Sequence, residues 1–194
     1  MSGFAESELS RAAASCHCPR YKELPALELY MDQVVTLLET ALEPLCSQSG
    51  EPWVSGPMVN NYTKQGLLER PVKKRYNRDH LAYLFFICVA KQVLSIPEIS
   101  RLLELQKATY PLDVAYDYFC TELENALNST FVTRRLSEDT ASRETEQTRL
   151  IRTIVTAVAQ KIYLNKFLEY ADQQKTLTPE SIAKSREERH QPAE

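Results

Sequence analysis

Apolar residues recur at helical spacing in several stretches of the chain, and this periodicity predicts helices. Residues 25–43 start at one proline and are followed by another, as expected for an amphipathic helix between two breakers. Residues 81–90 are apolar nearly all round, which is typical of a helix at the centre of a core. The stripe of the first helix consists of Leu27, Met31, Val34, Val35, Leu38 and Leu42.

Two more amphipathic helices are predicted in the second half of the chain. Residues 110–131 carry a heptad-like seam of Leu112, Tyr116, Phe119, Leu123 and Ala126. Residues 149–170 carry a stripe of Ile151, Val155, Val158 and Ile162, widened by Ile154 and Ala159. Each helix is marginal alone, so the stripes must pack on each other, on the rest of the core or on a second subunit.

Helix start and stop signals divide the middle of the chain. Gly66 can end a helix with a left-handed cap that places Leu67 against Tyr62. Asn77 can cap the apolar helix that follows, and Ser95-Ile96-Pro97-Glu98 is a capping box with a proline in its first turn. These signals predict a short helix, a glycine stop, a basic loop, a long buried helix and a further short helix.

The pattern as a whole predicts an all-α protein with four parts. Residues 1–23 form a partly flexible N-terminal segment with a helical turn or two at 7–14. Residues 24–107 form the main helical core, and residues 108–172 form a helical region for packing or dimerisation. Residues 173–194 are polar and charged, which predicts a flexible tail.

Charge is distributed unevenly along the chain. The net charge is −3, yet residues 58–107 contain nine Lys and Arg against four Asp and Glu. A basic module in an otherwise acidic chain is typical of a local phosphate-binding surface. No signal peptide is expected, and no segment reaches the roughly 20 apolar residues that span a bilayer. We therefore expect a cytoplasmic protein without membrane contact.

The five cysteines are an odd number and favour reduced thiols over a disulfide framework. Cys16-His17-Cys18 is the only group that suggests a metal. Its ligands are too close together for a structural zinc site, in which cysteines are usually two to four residues apart. We expect an exposed segment with two free thiols and no metal.

Part of the core resembles the winged helix-turn-helix of MerR-type regulators. The residues that match are Tyr62, Gly66-Leu67-Leu68, Pro71, Lys74, Tyr76, Asn77-Arg78-Asp79-His80-Leu81, Leu94-Ser95-Ile96-Pro97-Glu98-Ile99 and Leu102-Leu103. A more extensive resemblance is to the bacterial family catalogued as domain of unknown function 1836, which has a MerR-like core and no assigned activity. It is carried by Leu24-Pro25, Leu29-Tyr30-Met31-Asp32-Gln33, Met58-Val59-Asn60-Asn61-Tyr62 and Lys74-Arg75-Tyr76.

This resemblance implies a MerR-like winged helix-turn-helix core followed by a C-terminal helical pair, with a small wing hairpin or loop. The helix before Gly66 corresponds to the recognition helix, and the basic loop corresponds to the wing. In MerR-type regulators the element after the wing domain forms a dimer, so the resemblance implies a homodimer here. The helix over 25–43 takes the first position of the helix-turn-helix, although the connection 44–57 exceeds the usual turn of three or four residues.

Two groups of residues are candidates for DNA contact. On the recognition helix, asparagine can pair with adenine, lysine can reach guanine or phosphate, and threonine can bond phosphate. This group is Asn60, Asn61, Thr63 and Lys64. The wing group would hold backbone phosphates and consists of Arg70, Lys73, Lys74, Arg75, Tyr76 and Arg78. The alternative is that the asparagines cap the helix and the cations coat a solvated loop.

No catalytic pattern is found. The four glycines form no phosphate-binding loop and no serine sits in a sharp-turn motif. His80 opens a helix, which favours capping or packing over a role as a base. Four aromatic residues are candidates for the lining of an effector pocket, with a core role as the alternative: Tyr110, Tyr116, Tyr118 and Phe119.

The sequence therefore predicts a non-enzymatic regulator of transcription without a cofactor. It would bind double-stranded DNA as a homodimer and respond to an effector of unknown identity. The alternative is a protein-interaction module that has the same fold and does not bind DNA.

Overall fold

The computed structural model describes residues 3–47, 50–135 and 137–174, and this part of the protein is all-α, as predicted. Its α-helices are α1 (Glu8–Ala14), α2 (Met31–Leu42), α3 (Gly56–Lys64), α4 (Arg78–Ala90), α5 (Ile96–Thr109), α6 (Leu112–Asn128) and α7 (Glu146–Gln173). A π-helical turn, Ser129–Thr133, extends α6. The predicted tail lies outside the described residues from position 175 onward. Among the described helices, none combines the length and apolar character needed to cross a membrane.

Helix α4 is the centre of the core, as its sequence predicts. Nine of its thirteen residues are buried, and Asn77 caps its start by accepting a hydrogen bond from the amide of His80 at 3.1 Å. Its aromatic residues pack edge-on against α6, with 5.1 Å between the ring centres of Phe86 and Phe119. Helix α5 starts at the predicted capping box, in which Glu98 accepts from the amide of Ser95 at 2.7 Å.

Helices α6 and α7 pack against each other and on α4, so two of the three alternatives for their apolar stripes are realised within the chain. Helix α7 is longer than predicted and starts at Glu146 because Thr145 caps it. The Thr145 hydroxyl accepts from the amide of Thr148 at 3.2 Å. The side chains of Val158 and Ile162 are buried, as the stripe predicts.

Helix α3 is terminated by the predicted left-handed cap at Gly66. Gly66 has φ +79°, its amide donates to Thr63 at 3.2 Å, and the amide of Leu67 donates to Tyr62 at 3.0 Å. This pair of bonds is a Schellman motif. Leu67 and Tyr62 are both buried, so the cap turns the chain back into the core.

The helix predicted over 25–43 does not begin at residue 25, so this part of the prediction is wrong. Helix α2 begins at Met31, because Leu29 pairs with Tyr76 in an isolated antiparallel bridge with N–O distances of 2.9 and 2.8 Å. Leu27, which the periodicity assigned to the buried stripe, is 80% exposed. Local spacing cannot reveal a partner that lies 47 residues further along the chain.

The N-terminal segment is attached to the C-terminal helices. Phe4 packs against Tyr163 with 5.2 Å between ring centres, and Arg20 forms an ion pair with Glu124 on α6 at 2.6 Å. The amide of Cys18 donates to the same carboxylate at 2.8 Å. These contacts anchor the segment at both of its ends.

The expectation of an exposed cysteine segment is therefore wrong. Cys16 and Cys18 are buried at 6% and 0% exposure, although His17 between them faces solvent. Hydrogen bonding to Cys120 and Cys16, together with burial, raises the pKa of the Cys18 thiol. Within the described residues, no group of three ligating side chains is arranged to hold a metal ion.

Candidate nucleic-acid interface

Helix α3 turns its polar residues outward. Val59 and Tyr62 are buried, whereas Asn60, Asn61 and Lys64 are exposed, as helical periodicity requires. The asparagines do not cap the helix. Ser55 caps it instead, and its hydroxyl accepts from the amide of Met58 at 3.4 Å. Both asparagine side chains therefore lie on the exposed face of the helix body, where the Asn61 amide oxygen accepts a hydrogen bond from Gln65 Nε2 at 3.2 Å.

The basic loop contains a minimal β-hairpin. Val72 and Arg75 form an antiparallel bridge, and the amide of Arg75 donates to the carbonyl of Val72 at 2.9 Å. Lys73 and Lys74 form the tip, with φ of 49° and 62°. Positive φ at both central residues is the signature of the type I′ turn, which favours Asn-Gly. The tip therefore carries two lysines where most hairpins carry residues suited to left-handed backbone.

A short strap, residues 29–31, connects this hairpin to α3. Leu29 pairs with Tyr76 at the base of the hairpin. Tyr30 lies under the guanidinium of Arg75, with 4.9 Å from Arg75 Cζ to the ring centre and a hydrogen bond of 3.0 Å to the hydroxyl. Cγ of Met31 lies 3.6 Å from the position that a Cβ would occupy at Gly56, the first residue of α3. The strap therefore holds the basic hairpin next to the start of α3.

The same contact shows how α2 and α3 are arranged. The first residue of α3 lies beside Met31, the first residue of α2, so the connection 43–55 runs back along the length of α2. In a standard helix-turn-helix, a short turn places the start of the second helix at the end of the first. The long connection thus has a structural consequence, since the two helices begin side by side.

Among the candidate DNA-binding residues, Tyr76, Thr63 and Arg78 are held by internal contacts. Tyr76 is 3% exposed and packs edge-on against His80, so its side chain belongs to the core and cannot be presented to phosphate. The Thr63 hydroxyl donates to the carbonyl of Val59 at 3.1 Å. Arg78 donates to the carbonyl of Leu24 at 3.1 Å and stacks over Tyr21, which occupies much of its guanidinium.

The remaining cations of this region are exposed. Among the described residues, Lys64, Arg70, Lys73 and Lys74 form no ion pair. Arg75 is exposed but spends part of its hydrogen-bonding capacity on Tyr30. Cations without internal partners are the groups that gain most from contact with a polyanion.

His80 fixes the hairpin relative to α4. Its Nδ1 accepts from the amide of Asn77 at 3.2 Å, and its Nε2 donates to the carbonyl of Glu69 at 3.2 Å. The ring is 8% exposed. This capping position is the one that the sequence favoured.

All four candidate effector-pocket residues line one cavity of about 530 Å³. The cavity lies between helices α4 to α7 and is closed on one side by residues 140–145. Tyr118 also donates a hydrogen bond to Asp139 at 2.9 Å, which ties this closing loop to α6. The four residues are Tyr110, Tyr116, Tyr118 and Phe119.

The sequence interpretation missed Tyr30 as a positioning residue. It lies within the helix predicted over 25–43 and carries no charge, so the local pattern does not suggest a role for it. The family resemblance includes both Leu29-Tyr30-Met31-Asp32-Gln33 and Lys74-Arg75-Tyr76, but no local spacing indicates that these two segments meet.

The family model described as domain of unknown function (DUF1836) matches residues 19–119, which is just over half of the chain and includes both α3 and the hairpin. No curated protein and no solved structure matches the chain.

Proposed function

The chain belongs to the DUF1836 family, and we propose that it binds double-stranded DNA as a transcriptional regulator of MerR-like type. Helix α3 would enter the major groove and the basic hairpin would contact the flanking phosphates. The observation that carries the proposal is the strap 29–31, which touches both the hairpin and the start of α3. Two exposed polar elements fixed side by side suit a groove and its adjacent backbone.

The two elements have different tasks in this proposal. Asn60, Asn61 and Lys64 would meet base edges, because an asparagine amide matches the donor and acceptor pair of adenine. Lys73 and Lys74, supported by Arg70, would neutralise phosphates and set the register on the duplex. Arg75 would orient the hairpin through Tyr30 and add charge at its base.

The salt dependence of DNA binding tests this proposal. The double variant Lys73→Asn/Lys74→Gly removes two charges and retains the turn, since Asn-Gly is favoured in type I′ hairpins. We expect wild-type affinity for random-sequence duplex DNA to fall steeply between about 50 and 200 mM salt. The slope of log K against log salt should shrink by about 2 in the variant.

The matched control is Arg101→Ala/Lys161→Ala, which removes two exposed cations from α5 and α7. It should leave the slope unchanged. An equal loss of slope in both double variants would show that DNA responds only to overall charge. Absence of duplex binding by the wild type at low salt would overturn the proposal and favour the alternative function, a protein-interaction module.

Base reading by α3 requires a separate test. Selection from random duplexes with the wild-type protein should yield a preferred sequence, against which Asn61→Ala is then measured. We expect about 1–3 kcal/mol less discrimination against a mismatched site, with no change of the salt slope. An unchanged preference would exclude Asn61 from base contact.

A homodimer remains part of the proposal, and the C-terminal half of α7 supports it. Leu164 and Leu168 are exposed there at 58% and 52%, although α7 packs its main stripe on α6. Exposed apolar residues on one stretch of helix are typical of an interface. Sedimentation velocity of Leu164→Asp/Leu168→Asp should show monomers where the wild type sediments as a dimer.

The aromatic cavity supports a second function, the binding of a small apolar or aromatic effector. Its volume falls in the range of ordinary ligand sites. Ala115 lines the cavity, so Ala115→Phe should fill part of it. Ligand-detected NMR with a panel of aromatic fragments should show hits for the wild type that are lost in this variant, whereas equal hits would place the binding elsewhere.

A further inference from the structure

A second cavity, of about 440 Å³, lies between α6, the π-helical turn and α7. Its character differs from that of the aromatic cavity because most of its lining is polar or cationic. Three arginines contribute to it, together with hydroxyl and amide side chains. These polar and cationic residues include Ser129, Thr130, Arg134, Arg135, Arg152 and Gln160.

One arginine of the cavity is already neutralised. Arg152 forms an ion pair with Glu122, with 3.1 Å from Nε to Oε2, and it also donates to the carbonyl of Ser137. Glu122 is only 2% exposed and accepts in addition from the amide of Thr140 at 3.2 Å. A buried carboxylate needs such partners. This ion pair therefore adds no net charge to the cavity.

The other two arginines are uncommitted. Arg134 and Arg135 are exposed, and the structure gives their guanidinium groups no ion pair or hydrogen bond within the described residues. They follow one another at the mouth of a polar cavity and thus supply a net charge of about +2. Both side chains line the same cavity, so together they create a positive potential that attracts an anion.

The backbone that carries these two side chains adopts an energetically unfavourable conformation. Arg134 has φ +56°, in the left-handed region that favours glycine, and its amide donates to the carbonyl of Ser129 at 2.7 Å. The Thr133 hydroxyl donates to the carbonyl of Arg135 at 3.2 Å and accepts from its amide at 3.3 Å. π-Helical turns and left-handed non-glycine residues cluster at functional sites. Here both features occur at the paired arginines.

We propose that this cavity binds a phosphate group of a small phosphorylated molecule. Arginine forks match phosphate oxygens with two parallel hydrogen bonds each, and charge-assisted bonds of this kind are the strongest that side chains offer. Ser129, Thr130 and Gln160 add neutral polar groups along the wall. Gln160 and Thr130 are already joined by a long hydrogen bond of 3.4 Å, which a ligand can replace. The volume accommodates more than phosphate alone.

The site is independent of the proposed DNA-binding surface. It lies on α6 and α7, whereas the hairpin and α3 belong to residues 56–75. Failure of either proposal therefore leaves the other in place. The experiment must separate the two, because the hairpin lysines also attract anions.

Isothermal titration with inorganic phosphate, pyrophosphate and ribose 5-phosphate tests the proposal, at one ionic strength set with potassium chloride. The informative variant is Arg134→Gly/Arg135→Ala, because glycine at position 134 keeps the left-handed backbone while the guanidinium is lost. We expect pyrophosphate or ribose 5-phosphate to bind the wild type and to bind this variant at least about ten-fold more weakly. Arg101→Ala and the Lys73→Asn/Lys74→Gly variant should bind as the wild type does.

The three probes also identify the source of the phosphate. Equal affinity for inorganic phosphate would assign the site to the free anion, and tighter binding of ribose 5-phosphate would assign it to a phosphorylated metabolite. Binding that survives in the Arg134→Gly/Arg135→Ala variant but is lost in the hairpin variant would overturn the proposal. So would the absence of binding by every probe to the folded wild type.

Discussion

At the scale of single residues, left-handed backbone marks the cationic sites. Four described residues have positive φ: Gly66, Lys73, Lys74 and Arg134. The three that are not glycine all carry a positive charge, and each forgoes about 1–2 kcal/mol relative to a residue suited to this region. Glycine or asparagine at these positions would make the protein more stable. Folding stability therefore does not explain why cationic residues are found there. Both proposed phosphate-binding sites contain them.

Gly66 is the residue whose backbone freedom the fold does use. We predict that Gly66→Val destabilises the protein by at least about 1–2 kcal/mol, because a β-branched residue is strained at positive φ. A Cβ at this position would have no atom within 4 Å, so the cost comes from the backbone alone. Thermal unfolding should show a Tm lower by several degrees. Gly66→Asn, which tolerates left-handed backbone, should lose much less, and equal losses would contradict the cap.

At the scale of elements, the sequence predicted what depends on neighbours in the chain. The caps of α4 and α5, the stop after α3 and the burial of α4 all follow from local signals. The start of α2 and the burial of Cys16 and Cys18 could not be predicted from local signals. Each depends on a partner far along the chain. Of the candidate site, exposure of Asn60 and Asn61 was predictable from helical period, whereas burial of Tyr76 was not.

The hairpin gives a prediction at this scale. Lys73→Asn/Lys74→Gly should raise stability by about 1 kcal/mol, because Asn-Gly is favoured in a turn with two positive φ values. Urea unfolding measures the change. Lys73→Ala/Lys74→Ala removes the same charges and keeps the strain, so it should not be stabilised. A gain in both variants would mean that charge repulsion, rather than backbone strain, limits the turn.

At the scale of the whole molecule, contacts between distant parts of the chain hold the N-terminal segment in place. Arg20 and the amide of Cys18 both bind Glu124, and the amide of Tyr21 donates to Asp117 at 2.6 Å. Both carboxylates lie on α6, about a hundred residues away. The aromatic contacts of Phe4 continue this attachment on α7.

This attachment is predicted to weaken in acid. Burial raises the pKa of Glu124, but the hydrogen bonds from Arg20 and the Cys18 amide outweigh it, so the pKa lies below its ordinary value of 4.5. A lowered folded-state pKa stabilises the protein above the unfolded-state pKa, and the stability is lost as the pH falls through the folded value. Glu124→Gln should therefore lose about 1–3 kcal/mol at pH 7, and its difference from the wild type should shrink below about pH 4.

Urea unfolding at pH 7 and pH 3.5 measures this difference. Glu104→Gln is the control, because Glu104 is exposed on α5 and has no described ion pair. Its effect should be small at both pH values. A deficit of Glu124→Gln that is the same at pH 3.5 as at pH 7 would assign the loss to packing rather than to the carboxylate charge.

The segment between Tyr21 and the strap 29–31 connects this attachment on α6 to the hairpin. Tyr21 is bound to α6, and eight residues later Leu29 pairs with the base of the hairpin. A chain spans at most about 3.5 Å per residue, so this connection limits how far α6 and the base of the hairpin can separate. A displacement of α6 beyond that reach would have to break either the Tyr21–Asp117 hydrogen bond or the Leu29–Tyr76 bridge.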